Sequence, residues 1–227
     1  MNDSQEVFVR LRTKFQNIYR KVREIHEEIV SSGKETVGGH GFDHSLMVAQ
    51  YGVIIAEEDK LGEMAWIAGL LHSFDRHFSP YDEQKCIEEC LSLVGFAFNA
   101  SEIAEISCAL ANHSYPNDPM DSPLTIVLKD ADRLGNLGAQ NIFRGAQHRP
   151  KIPAVIPEYI GTKHPESQFK SPKSCYDALW FNLEWEDMLR TRKAKELAKR
   201  HFDFIRMFMV AIAEQYQEVG LYPWPAQ

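Results

Sequence analysis

Ala65-Trp66-Ile67-Ala68-Gly69-Leu70-Leu71-His72-Ser73-Phe74-Asp75-Arg76 is the stretch on which the reading of this chain turns. Its apolar run falls far short of the ~20 residues needed to span a bilayer and suits a helix buried in a protein core. A histidine that closes such a run is either a satisfied core histidine or a ligand aimed into a pocket. Asp75, Arg76 and His77 follow within one and a half helical turns. If the helix persists past His72, Asp75 lies three residues on and shares its face. Arg76, four on, is then placed to meet a phosphate, although a solvated helix end explains Arg76 and His77 equally well.

Working outward, three more stretches carry a histidine or an acid in a similar setting. His44 follows Phe42-Asp43 in the first turn of a helix, where it enters either solvent or a pocket from the helix end. His113 closes Ile106-Ser107-Cys108-Ala109-Leu110-Ala111-Asn112 and faces a Pro-containing loop. There it either caps the helix dipole or lines a site. Asp130 follows Leu124-Thr125-Ile126-Val127-Leu128, and a carboxylate in so apolar a helix needs a partner. A metal is one candidate and Arg133 another. Asp132 is expected on a different face. Arg133 and Arg144 are further candidates for phosphate oxygens. Imidazole and carboxylate together suit a divalent first-row metal, which lowers the pKa of bound water and polarises a phosphoryl oxygen.

The rest of the chain reads as helix. Apolar residues recur at helical spacing and strand-like alternation is scarce. The pattern predicts helices over 7–30 (stopped by Ser31-Ser32-Gly33), 43–58, 62–72, 82–93, 101–113 (capped by Ser101), 124–134, 139–146, 174–190 and 192–219. Five prolines between His148 and Pro172 predict a long loop, of the kind that serves as a lid or binding segment. With no repeat and no linker, the expectation is a single all-α domain over residues 1–227.

Composition narrows the function classes. A net charge of −7 argues against general nucleic-acid binding, but a metal and a few arginines can still hold a small phosphorylated substrate. The polar start Met1–Glu6 is no signal peptide, and no apolar run could cross a membrane, so the expected location is the cytoplasm. The four cysteines form no CxxC pair and are expected to be reduced, mostly buried small hydrophobes; Cys86 and Cys90 share a helix face. No P-loop, nucleophile elbow or dinucleotide fingerprint occurs.

The ordered set resembles the HD superfamily of metal-dependent phosphohydrolases, and within it a bacterial branch related to nucleotide pyrophosphohydrolases. The resemblance is carried by Gly39-His40-Gly41-Phe42-Asp43-His44, Leu70-Leu71-His72, His113-Ser114, Asp130-Ala131-Asp132-Arg133-Leu134 and Gly138-Ala139, and it spans about residues 25 to 215. It implies an HD-like helical bundle in which His44, His72 and Asp130 are three of four metal ligands. The fourth ligand falls on Ser73, where the family has an aspartate that also helps activate the attacking water. Two outcomes follow. Asp75, or a water held by Ser73, completes the site; or the site binds metal weakly and hydrolysis is lost, leaving a domain that binds a nucleotide or a protein partner. In the hydrolase reading the candidate catalytic residues are Asp75, Arg76, His113 and Arg133: Asp75 is a substitute ligand or general base, Arg76 or Arg133 neutralises the phosphate, and His113 lines the pocket. The reduced ligand charge favours Mn, Fe, Ni or Zn over Mg. The implied substrate is a nucleotide or another small phosphate ester. Deamination or oxygenation at the same site is the remaining alternative.

Overall fold

The computed structural model describes residues 3–32 and 38–224. Gly33, the expected helix stop, lies outside the described residues, as do Met1 and Asn2. The described residues form ten α-helices and no named strand, as an all-α reading requires. Their contacts group into two compact units: Met1–Gly135 with Arg190–Ala194, and Asn136–Leu189 with Lys195–Gln227.

The first unit holds α1 (Asp3–Lys14), α2 (Gln16–Ser31), α3 (Phe42–Ala56), α4 (Asp59–Leu71), α5 (Pro80–Ser92), α6 (Ala100–Asn112) and α7 (Pro123–Gly135). The expected long first helix is interrupted at Phe15, whose backbone leaves the helical region. The Phe15 ring is buried and stacks on Trp66 and Phe98, at 5.9 and 5.7 Å between centroids. Packing of that ring offsets the local break. At the start of α6, Asn99 rather than Ser101 is the cap. Its side chain accepts from the Glu102 N–H while Glu102 accepts from the Asn99 N–H, a reciprocal pair that satisfies two end groups.

The centre of this unit is the antiparallel pair α3 and α4, with α7 packed on both. Glu57, in the left-handed conformation, reverses the chain between them. Small residues let the two backbones approach. A Cβ built on Gly69 would lie 2.5 Å from Ala49 Cα, and one on Gly52 would lie 3.1 Å from Ala65 Cβ. Such contacts leave no room for larger side chains and fix the register of the pair.

In the second unit, α8 (Ala139–His148) is joined to α9 (Cys175–Leu183) by a buried hydrogen bond from Asn141 to Asn182. The expected helix over 174–190 ends early. A 3-10 turn over Glu184–Met188 follows α9, and Leu189 is extended. α10 (Arg192–Glu218) then begins, with Arg190–Ala194 grouped in the first unit. The Pro-rich segment is held to the first turn of α9. The Cys175 and Tyr176 N–H groups donate to Pro153 and Ala154, and the buried Asp177 carboxylate accepts from the His164 N–H and the Ser167 hydroxyl. Those helix-start donors, which would otherwise be orphaned, are satisfied by the segment they organise. Of the four free cysteines only Cys90 is buried; Cys86 and Cys175 are half-buried and Cys108 is exposed, contrary to the expectation that most would be core residues.

Candidate metal centre

The α3–α4 register builds the site. His72 lies three residues beyond Gly69, and His44 lies five residues before Ala49, so the close crossing sets the two imidazoles side by side. Their Nε2 atoms are 3.1 Å apart. α7 delivers the third group. Gly135 approaches α3 so closely that a Cβ there would meet Val48 and His44. Asp132, three residues earlier, faces the same way. Its Oδ1 is 3.3 Å from His44 Nε2 and 3.6 Å from His72 Nε2.

These spacings suit an ion. Ligand atoms about 2.1 Å from a metal lie about 3.0–3.4 Å apart at octahedral or tetrahedral angles, close to the three separations here. His72 is also prepared for it. His72 Nδ1 donates to the Gly69 carbonyl at 2.7 Å, which leaves Nε2 as the unprotonated nitrogen of the neutral ring. Burial opposes ionisation of Asp132, but the hydrogen bond from His44 and the electrostatic influence of His72 outweigh it and hold the carboxyl well below the usual range. His44 and His72 are buried, whereas Asp132 is 28% exposed and gives the cluster its opening to solvent. Among the described residues, this is the one group of three or more His, Cys, Asp or Glu with metal-ligating spacing.

Around the cluster lie further polar groups. Ser73 Oγ is 3.2 Å from His72 Nε2. The His113 ring sits 5.6 Å from that of His72 and donates through Nδ1 to the Leu110 carbonyl. Burial and the neighbouring His72 push the His113 pKa down, against the pull of Asp132 and Asp75. The His40 ring lies 5.5 Å from that of His44. By contrast, a cavity of about 350 Å³ lined by Val7, Arg10, Glu57 and Glu58 contains none of these residues, and its acids do not suit a phosphate.

No family model and no curated protein matches the sequence. Solved structures do. A Lactobacillus plantarum protein aligns over 89% of this chain and 98% of its own at 17% identity, with a TM-score of 0.66. An HD-superfamily hydrolase from Bacillus thuringiensis aligns over 91% of this chain and 98% of its own at 18% identity and a TM-score of 0.64. The chain has the HD-domain fold. Bacillus subtilis YpgQ, solved in complex with ADP, aligns over 91% of this chain and 99% of its own at 20% identity and a TM-score of 0.59.

Within the HD-domain fold, the chain brings together His44, His72 and His113 but not Asp130. That carboxylate is fully buried on another face of α7. It accepts from the Thr191 N–H at 2.7 Å, from the Arg190 N–H at 2.9 Å and from Arg133 at 3.4 Å. Asp130 therefore has its partners elsewhere, and Asp132 is the carboxylate that meets the imidazoles. The two acids are two residues apart, about 200° around a helix, so they cannot serve one site. No local signal separates them: the rotation of α7, seen in the close approach of Gly135 to α3, puts Asp132 on the imidazole side.

The α-helix stops at Leu71, and His72–Arg76 forms a 3-10 turn. Residues three apart eclipse in that geometry, so Asp75 stays on the His72 side. Its Oδ1 is buried without a hydrogen-bond partner, and Oδ2 pairs with the half-exposed Arg76 at 3.3 Å. Arg133 donates to Asn117 and Asp130. Arg144, in the second unit, donates to Asn136.

Proposed function

We propose that this protein is a metal-dependent phosphohydrolase acting on a nucleotide or another small phosphate ester. The observation that carries the proposal is the convergence of His44 Nε2, His72 Nε2 and Asp132 Oδ1 at 3.1–3.6 Å on an HD-domain fold. His44, His72 and Asp132 hold the ion, with Mn, Fe, Ni or Zn fitting two imidazoles and one carboxylate better than Mg. Bound there, the metal makes coordinated water acidic and polarises a phosphoryl oxygen.

The protein's own groups supply the rest. Gly69 holds the His72 ring in its tautomer and orientation. His113 is kept neutral by burial and its Nδ1 is spent on Leu110, so its Nε2 is a proton acceptor beside the cluster. Asp75, with a buried unpartnered oxygen, accepts a proton or orients water. Arg76 binds phosphate oxygens: although paired with Asp75 it is 43% exposed, whereas the Arg133 side chain is only 13% exposed and held by Asn117 and Asp130. The ADP bound to YpgQ supports a nucleotide as the substrate class.

Ser73 favours a second reading, a domain that binds a nucleotide or protein partner without turnover, because a neutral hydroxyl stands where the resemblance to the HD superfamily implies an aspartate. One experiment separates the two. Metal content is measured by elemental mass spectrometry for the wild type and Asp132→Ala, followed by phosphate release from a panel of nucleotides and phosphate esters. About one equivalent of transition metal, lost in Asp132→Ala, with phosphate release by the wild type, is the expected result. Phosphate release only after Ser73→Asp establishes the binding reading. No metal in any form after incubation with Mn, Ni or Zn overturns the proposal.

A further inference from the structure

A line of buried polar groups ends at His72, and the hydrolase reading leaves its far end, His26 and Ser45, unused. His26 Nε2, Ser45 Oγ, Ser73 Oγ and His72 Nε2 follow one another at 3.4, 3.1 and 3.2 Å. All four residues are at most 3% exposed. They come from α2, α3 and the turn after α4, so the line is a product of packing.

Its polarity can be worked out. A carbonyl only accepts, so the proton of the neutral His72 ring sits on Nδ1, facing Gly69, and Nε2 is an acceptor. Ser73 must then donate to His72. Ser45 donates to Ser73, and with its proton spent it accepts from the Nε2–H of His26. Every hydroxyl in the chain thereby donates once and accepts once. The last proton points at the lone pair that a metal needs.

We propose that Ser73 is a positioning residue that weakens and thereby sets metal affinity. Its hydroxyl, oriented by Ser45 and His26, occupies the His72 Nε2 lone pair and must turn away before an ion binds. This inference rests on the reading of His44, His72 and Asp132 as a metal centre. It differs from simple loss of a ligand. A carboxylate in place of Ser73 carries no proton and offers only lone pairs, whereas the serine puts a donor where the carboxylate would have been an acceptor. Ser73 Oγ also receives the Ser45 proton, which occupies the lone pair it would need as a ligand itself.

The test is titration of the full chain with Zn²⁺ against a chromophoric chelator, for the wild type, Ser73→Ala, Ser45→Ala and Asp132→Ala. Thermal melts accompany each variant to establish that it is folded. Removing one net hydrogen bond from the competing state predicts that Ser73→Ala binds Zn²⁺ about three- to tenfold more tightly than the wild type. Ser45→Ala shifts affinity in the same direction by a smaller factor, since Ser73 remains but is no longer held. In the metal-free protein, the Ser73→Ala substitution moves the ¹⁵N resonance of His72 Nε2, which loses its donor. Equal or weaker Zn²⁺ binding by Ser73→Ala overturns the proposal; if the wild type still binds and Asp132→Ala does not, the metal centre survives that result. Absence of Zn²⁺ binding in the wild type and in Ser73→Ala overturns the proposal together with the metal centre.

Discussion

Substituting the two acids of α7 separately tests the reassignment of the metal-ligating carboxylate. In Asp130→Asn, one carboxylate oxygen becomes an NH₂ group that faces backbone donors. The carboxylate now accepts from the Thr191 N–H, the Arg190 N–H and Arg133, and is fully buried. Hydrogen bonds to a charged group contribute about 1.5–3 kcal/mol each. At least one is lost and the others lose their charge, so the destabilisation is about 3 kcal/mol, at the lower end for breaking a buried charged arrangement. For a chain of this size that lowers Tm by about 6–12 °C. Metal content per folded molecule should be unchanged. Asp132→Asn reverses the pattern. Its carboxylate reaches solvent, and the Arg190 and Thr191 N–H groups go to Asp130 instead, so the stability change is smaller than in Asp130→Asn. Metal, however, is lost, because one of only three charged or imidazole ligands has gone. Differential scanning calorimetry and elemental mass spectrometry on the same preparations read both effects. The reasoning is refuted if Asp130→Asn empties the protein of metal at unchanged Tm, or if Asp132→Asn retains a full equivalent.

Gly69→Ala places a Cβ 2.5 Å from the Ala49 backbone, so α3 and α4 must separate. A loss of about 1–3 kcal/mol is expected together with weaker metal binding, because the same crossing pairs His44 with His72; thermal melts and Zn²⁺ titration check it. Burial, then His77 and His72, lower the His26 pKa to about 4. The folded state therefore binds that proton less readily than the unfolded chain, whose histidine titrates near ~6.5. Its contribution to stability is complete above that pH and is lost as pH falls towards about 4. The slope of Tm against pH in that window should flatten in His26→Gln. Asp121 is held at about 2, where hydrogen bonds from Lys129, Asp118 and Arg190 overcome the opposing effect of burial. Its contribution is present above the ordinary aspartate range near ~3.9 and disappears as pH falls through about 2, so Asp121→Asn should remove part of the acid-induced loss of stability seen by circular dichroism.

The positions of most helices were legible in the primary structure because their signals are local. Apolar spacing and the run ending at His72 act within a turn or two. Signals that depend on a distant partner were not. Phe15 breaks the first helix because Trp66 and Phe98 receive its ring. α9 stops at Leu183, and Arg190 and Thr191 then offer their N–H groups to Asp130, 60 and 61 residues away in sequence.

The candidate site divides in the same way. His44, His72 and His113 could be picked out one by one, since each polar ring ends or opens an apolar run, and burial of an imidazole demands a partner. The all-α reading came from helical spacing along the chain, and the HD-domain character from the resemblance that the ordered motifs carry. Which carboxylate joins them was decided by tertiary structure alone. Asp130 and Asp132 sit in the same short motif, and only the rotation of α7, set by the close approach of Gly135 to Val48 and His44, turns one towards the imidazoles and the other towards Arg190. The Ser73 hydroxyl likewise acquires its direction only when α2, α3 and α4 bring His26, Ser45 and His72 into one line. A sequence specifies the chemistry available on each helix face, but the rotation and register that combine those faces arise from packing between segments far apart along the chain.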